Sequence, residues 1–279
     1  MLAAAARFVK RRGQKRDRLV DRIAKPLIIC GVNAVAEKLK SAPGEIAEII
    51  VAAGRDRERL NTVLDEARRR KLPIRFVGAE EIGALTAGAL HQGIAAAVAP
   101  YGYFSFEDLL SELQAASGRV LVLDGVTDPH NFGALLRSAE GAGIRHVVIA
   151  KDRAVGVTPV VVKSSAGAVN HLKIYRVTNL ARALQQLKEH GYWSVGLDPE
   201  APETIYDREY PEKLVIVLGS EGKGMRPLIR RECDFLASIP MLGQVASLNV
   251  SVAGGVILYE LARRLRPAPA ESGKNPRND

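Results

Sequence analysis

The chain has 279 residues, 47% of them hydrophobic and 25% charged, and a formal net charge of +9. It is long enough for one or two globular domains, and no apolar run approaches the ~20 residues that span a bilayer, so a membrane protein is not expected. Two cysteines without CxxC spacing and five scattered histidines exclude a disulfide framework and a Cys/His metal site.

Residues 1–25 hold nine Lys/Arg against two Asp, so seven of the nine net charges sit in this leader. We read 1–26 as a flexible basic arm retained in a cytoplasmic protein. It lacks the apolar core of a secretory signal. Such an arm suits a polyanionic partner, with an attraction that salt weakens.

From 27 to 100 the pattern is that of a small layered α/β domain. Strands are expected at Leu27–Cys30, Ile46–Ala52, Ile74–Val77 and Ile94–Val98, and helices at Asn33–Lys40, Arg55–Lys71 and Ala79–Leu85. His91-Gln92-Gly93 breaks the apolar pattern as a turn, with Gly93 supplying a positive φ. Residues 101–117 form a linker. Its aromatic start, Tyr101-Gly-Tyr-Phe, reads as junction packing and its end, Phe106–Ala116, as a helix.

Beyond residue 118 strand candidates are Val120–Leu123, His146–Ile149, Leu172–Tyr175, Tyr192–Val195, Leu214–Leu218 and Phe235–Ile239. Helical patterns fall at Phe132–Ala142, Leu180–Glu189, Pro227–Glu232 and Val250–Leu265. Near-continuous Val/Ile/Leu strands joined by helices predict a parallel sheet buried on both faces, over 118–266. The Pro- and Gly-rich stretch 267–279 reads as a disordered tail.

In such a sheet, ligands gather at the carboxyl ends of the strands. Three strand-end segments carry unusual chemistry. The first runs from Asp124 through Asn131, placed at a helix start, to Arg137 on that helix. Six residues at 3.6 per turn put Asn131 and Arg137 on only partly shared faces. The second is Gly219-Ser-Glu-Gly-Lys-Gly-Met225, which fits neither a Walker A loop nor GxGxxG, because Met225 stands where the lysine is needed. Its Glu221 suits a cationic or hydroxyl-bearing ligand. The third runs from Ile239 through Gly243 to Ser247-Leu248-Asn249-Val250-Ser251, where Asn249 or Ser251 can simply cap the last helix.

Asn131-Phe-Gly-Ala with Arg137, Leu218-Gly-Ser-Glu-Gly-Lys-Gly-Met225, and Ile239-Pro-Met with Ser247-Leu-Asn-Val-Ser251 resemble, in this order, the three signature motifs of the SpoU/TrmH class of SPOUT methyltransferases. The resemblance covers about 118–265. Gly31-Val-Asn-Ala and His91-Gln-Gly are similar to that family's ribosomal-protein-like RNA-binding domain. It implies a deep trefoil knot, a homodimer, and methylation of a ribose 2′-hydroxyl of RNA, with a guanosine of large-subunit rRNA as the leading target. A tRNA target, or RNA binding without catalysis, is the alternative. It implies S-adenosyl-L-methionine held by backbone groups around Leu218, Gly219, Ile239, Gly243 and Leu248, no metal, and a catalytic set of Asn131, Arg137, Glu221, Ser247 and Asn249. The family's proposed base corresponds to Arg137. A guanidinium stays protonated at neutral pH, so we expect it to stabilise the developing alkoxide instead. Ala246 stands where the pattern has a small hydroxyl residue, and the basic leader is not a regular family feature.

Overall fold

A computed structural model describes residues 26–54, 60–115 and 118–265. Residues 1–25 of the expected arm and the whole expected tail lie outside the described residues, as do the first five residues of the expected helix Arg55–Lys71.

The N-terminal half is a four-stranded sheet in the order β1 (Leu27–Cys30), β4 (Ile94–Val98), β2 (Ile46–Ala52), β3 (Ile74–Val77). β4 runs antiparallel to both β1 and β2, while β2 and β3 are parallel. Alternation along the strands sorts side chains to two faces. Ile29, Ile49, Val51 and Ala96 meet α1 (Val32–Ser41) and α2 (Asn61–Arg69). Cys30, Ile50, Ala52 and Ala95 meet Ile82 of α3 (Ala79–Leu85). The His91–Gly93 turn supports the start of α1. Gly93 adopts φ +83°, and Gln92 Oε1 accepts from Val32 N at 3.0 Å, supplying the cap that Gly31 cannot give the helix.

The linker aromatics pack at the junction, as expected. Tyr101 hydroxyl donates to Leu172 O (3.0 Å), Tyr103 hydroxyl accepts from Val157 N (2.8 Å), and Phe104 forms a parallel bridge with Tyr175. Helix α4 (Phe106–Ala115) follows. Lys38 of α1 reaches Asn170 Oδ1 (3.2 Å) and Lys163 reaches Leu90 O (2.8 Å), so polar contacts also cross between the halves.

The C-terminal half is a six-stranded sheet in the order β10 (Phe235–Ala237), β8 (Trp193–Leu197), β9 (Leu214–Leu218), β5 (Val120–Leu123), β6 (His146–Ala150), β7 (Lys173–Val177), every pair parallel. Leu121, Leu123, Ile216 and Leu218 pack toward α5 (Pro129–Gly141), α6 (Pro159–Ser164) and α9 (Val250–Leu265). Val120, Val122, Val215 and Val217 pack toward α4, α7 (Leu180–Glu189) and α8 (Pro227–Glu232). The chain moves outward from β5 to β7, then returns to build β8, β9 and β10 on the other side of β5. The order therefore reverses between β5 and β9, and such a switch point opens a crevice at the strands' carboxyl ends.

Several boundaries differ from expectation by one to three residues. β7 and β8 each start one residue later and end two residues later, and β10 stops at Ala237, two residues before Ile239. Helix α5 begins at Pro129 rather than Phe132, because Asp128 is its N-cap and Pro129 its first residue. Helix α6 is an addition to the expected elements; Thr158 caps it and accepts from Val161 N at 3.3 Å.

Candidate active site

The cap moves Asn131 from the expected helix start to the third residue of α5. Its Nδ2 donates to Asp128 Oδ2 (3.2 Å) and to Glu221 Oε1. Asp128 meanwhile accepts from His130 N at 2.8 Å. An amide nitrogen has two protons, and both are now spoken for, so Asn131 can offer a ligand only its carbonyl oxygen. The Asn131–Glu221 contact joins segments 90 residues apart, across the β5/β9 switch point.

Glu221 sits on a closed turn. Ser220 N donates to Gly224 O and Gly224 N to Ser220 O, each at 3.0 Å. Gly222 and Gly224 hold φ of +74° and +63°. Gly219 is required for a different reason: a Cβ there would lie 2.1 Å from Gly224 C and 2.2 Å from Met225 N. Those are backbone atoms that cannot swing away. Behind the turn, burial pushes the Cys233 thiol up to about 12. It is protonated at neutral pH and is no nucleophile.

The third segment is open. From Ile239 to Leu248 no backbone amide or carbonyl bonds to another described backbone group. Leu242 and Val245 stand in solvent and Leu248 is 37% exposed. Gly243 has open space around it, and Ser247 is exposed. Asn249 caps α9: its Oδ1 accepts from Ser251 N (2.9 Å) and Ser251 Oγ (2.6 Å). α9 lies on α5, where Gly254 packs so closely that a Cβ would meet Leu135 Cδ2 at 2.3 Å and Leu218 Cδ1 at 2.9 Å. The chain from edge strand β10 must thus cross the carboxyl ends of β8 and β9 to reach α9.

Arg137 stands apart. It is exposed, ~9 Å along the α5 axis from Asn131 and ~120° around it by helix geometry. Its side chain forms no hydrogen bond or ion pair with a described residue. Within one chain the structure thus unites Asn131 with Glu221, places Leu218 and Gly219 beneath them, and leaves Arg137, Ser247 and Asn249 unbonded to that pair. Sequence reasoning missed Asp128, whose position before Pro129 was the available signal. It also missed the pairing of buried Asp124 with half-exposed Arg226, 102 residues apart, for which no sequence signal exists.

Comparison with known families decides the class of site. Residues 118–259, half of the chain, match the SpoU rRNA methylase family. The chain belongs to that family. Residues 28–104 match the RNA 2′-O ribose methyltransferase substrate-binding domain. Together they make the chain an RNA 2′-O-ribose methyltransferase with S-adenosyl-L-methionine as its cofactor. Among its relatives, the 23S rRNA (guanosine-2′-O-)-methyltransferase RlmB of Xylella fastidiosa is 42% identical over 238 residues, covering 85% of this chain and 96% of that protein. RlmB of Pasteurella multocida is 44% identical over 238 residues, covering 85% and 97%. An AdoMet-bound rRNA methyltransferase from Sinorhizobium meliloti has the same fold, with a TM-score of 0.70 at 21% identity over 87% of this chain and 89% of that one.

Proposed function

We propose that this chain methylates the ribose 2′-hydroxyl of a guanosine in large-subunit rRNA, as a homodimer whose cleft is completed by Arg137 of the second copy. The target is that of relatives such as the Xylella and Pasteurella enzymes. The observation that carries the reading is the Asn131–Glu221 contact beside a strand-end segment with unpaired backbone.

That segment fits the cofactor. Ten successive residues, Ile239–Leu248, offer amides and carbonyls that have no backbone partner among the described residues, and the exposed Leu242, Val245 and Leu248 offer apolar cover. Leu218 and Gly219 form the neighbouring wall, Gly243 lets the chain approach closely, and Glu221 favours a positive charge. Bound there, S-adenosyl-L-methionine supplies an electrophilic sulfonium methyl, so the hard chemistry belongs to the cofactor.

The protein contributes alignment. Asn131, with both amide protons committed, accepts from the ribose hydroxyl through Oδ1. Glu221 holds Asn131 in that orientation and keeps Oε2 for the substrate. Asn249 uses Oδ1 in its cap and presents Nδ2 to the ribose or phosphate. Ser247 adds a hydroxyl. Arg137 stays cationic and stabilises charge building on the 2′-oxygen as the O–C bond forms and the C–S bond breaks, with the hydroxyl proton passing to water or an RNA phosphate. Positioning can contribute ~7–11 kcal/mol, against ~10²–10⁴-fold for proton removal, so alignment outweighs base catalysis.

Exposed apolar side chains support the second copy. Val252 and Tyr259, seven residues apart on α9 and so on one face of it, are 51% and 55% exposed, and Leu248 and Val245 in the preceding segment are exposed too. Clustered apolar surface of this kind marks an interface, and α9 lies next to the helix carrying Arg137. The trefoil knot belongs to the same reading, since the path from edge strand β10 back to α9 crosses the sheet's middle. No helix among the described residues is long and apolar enough to cross a membrane, and the reading places the chain in the cytoplasm with its RNA.

The test is methyl transfer from labelled cofactor to large-subunit rRNA that lacks the mark. Label in alkali-resistant, 2′-O-methylated guanosine is expected. Label on a base, or only in tRNA, would overturn the proposal.

A further inference from the structure

Asp124 directly follows β5, with its side chain 0% exposed. Its backbone N–H donates to Leu218 O at 2.8 Å, the last residue before the Glu221 turn. Its carboxylate accepts from Arg226 N (2.8 Å) and Arg226 Nε (2.7 Å), with Arg226 Nη2 also at 2.7 Å. Arg226 is the first residue after that turn. One residue therefore grips both ends of Gly219–Met225. The adjoining Gly125, at φ +80°, brings the chain alongside Ser220, which would lie 3.6 Å from a Cβ there. A buried carboxylate costs stability unless fully paired. Here the pairing is confined to the loop that must present Glu221 to Asn131.

We propose that Asp124 is a positioning residue for methyl transfer, acting through Glu221: by clamping the loop at Leu218 and Arg226 it fixes where the Glu221 carboxylate meets Asn131. This rests on the functional reading above, in which Glu221 orients Asn131. Asp124 itself touches neither substrate nor cofactor, and its half-exposed partner Arg226 completes the clamp from the solvent side.

A double-mutant cycle separates positioning from mere support of the fold. Asp124→Asn keeps the shape and removes the charge. In the otherwise native enzyme it should lower the single-turnover rate, at saturating cofactor and RNA, on the order of 10²-fold, the effect of misplacing a reacting group by about 1 Å. In the Glu221→Gln background, where there is no carboxylate left to position, the further loss should be under about twofold. Equal losses in both backgrounds, or no loss in either, overturn the proposal. Hydrogen exchange gives a readout that does not need catalysis. Asp124→Asn should speed exchange of amides 219–225 while β6 and α7 keep native protection; unchanged exchange at 219–225 overturns the clamp. Wild-type enzyme without methyl transfer would instead refute the functional reading and leave the exchange result to decide the clamp. Should Asp124→Asn fail to fold, Arg226→Gln, altered on the half-exposed side, carries the same two measurements.

Discussion

Gly219→Ala probes the Glu221 turn most sharply. The new Cβ would sit 2.1 Å from Gly224 C, and ordinary carbon contact begins near ~3.5 Å, so the facing backbone has to retreat by about 1.4 Å. That displacement moves Glu221 off Asn131. Overpacking of this kind costs ~1–3 kcal/mol, and ~2–4 °C of melting temperature per kcal/mol at this size. Misplacement beyond 1 Å costs on the order of 10²-fold in turnover. Gly222→Ala is the control. Its φ of +74° strains an alanine, but nothing lies within 4 Å of the new methyl, so it costs a similar ~1–2 kcal/mol without pushing the turn open. Thermal unfolding and single-turnover methyl transfer, measured on both variants, should show comparable loss of stability but loss of activity in Gly219→Ala alone. Equal activity in the two variants would refute the steric argument.

Other outcomes follow from the same geometry. Arg137→Lys keeps the charge but loses the planar fork, and should fall ~10²–10³-fold in turnover, the scale for removing a donor to a developing oxyanion; wild-type turnover would defeat the geometric role. Co-expressing Arg137→Ala and Glu221→Gln chains, each strongly impaired but measurable alone, should restore about a quarter of the sites to wild-type rate if random pairing forms dimers that share residues, whereas arginine acting within its own chain predicts no recovery. Glu260 is held down to about 2 by hydrogen bonds from Arg263 and Arg264. A lowered carboxyl stabilises fully above its unfolded value of ~4.3 and loses that contribution as pH falls toward 2. Glu260→Gln should thus lower the melting temperature at pH 7, with the gap to wild type closing toward pH 2.

Much of this was legible in the residues. The Val/Ile/Leu runs of β5 and β9 can be satisfied only between two helical layers, so the parallel sheet followed from them. The loops at Gly219 and Asn249 stood out because glycine and small polar residues interrupt that apolar pattern. What escaped was local competition. Val160, Val161 and Val162 have the β-branched content of a strand, yet Thr158 and Pro159 nucleate a helix there. Asp128 took the cap that Asn131 was expected near, turning Asn131 toward Glu221. Asn249 does cap α9, as its position before the helix allowed. The Asp124–Arg226 pair depends on two strands being neighbours, which no local pattern records.

Ribose methylation mapped nucleotide by nucleotide in rRNA from cells lacking this chain tests the central claim most directly. One guanosine of the large-subunit rRNA should lose its 2′-O-methyl group, and the wild-type chain, but not Glu221→Gln or Arg137→Lys, should restore it. An unchanged large-subunit pattern, or a lost mark that proves to be a base methylation, would contradict the account.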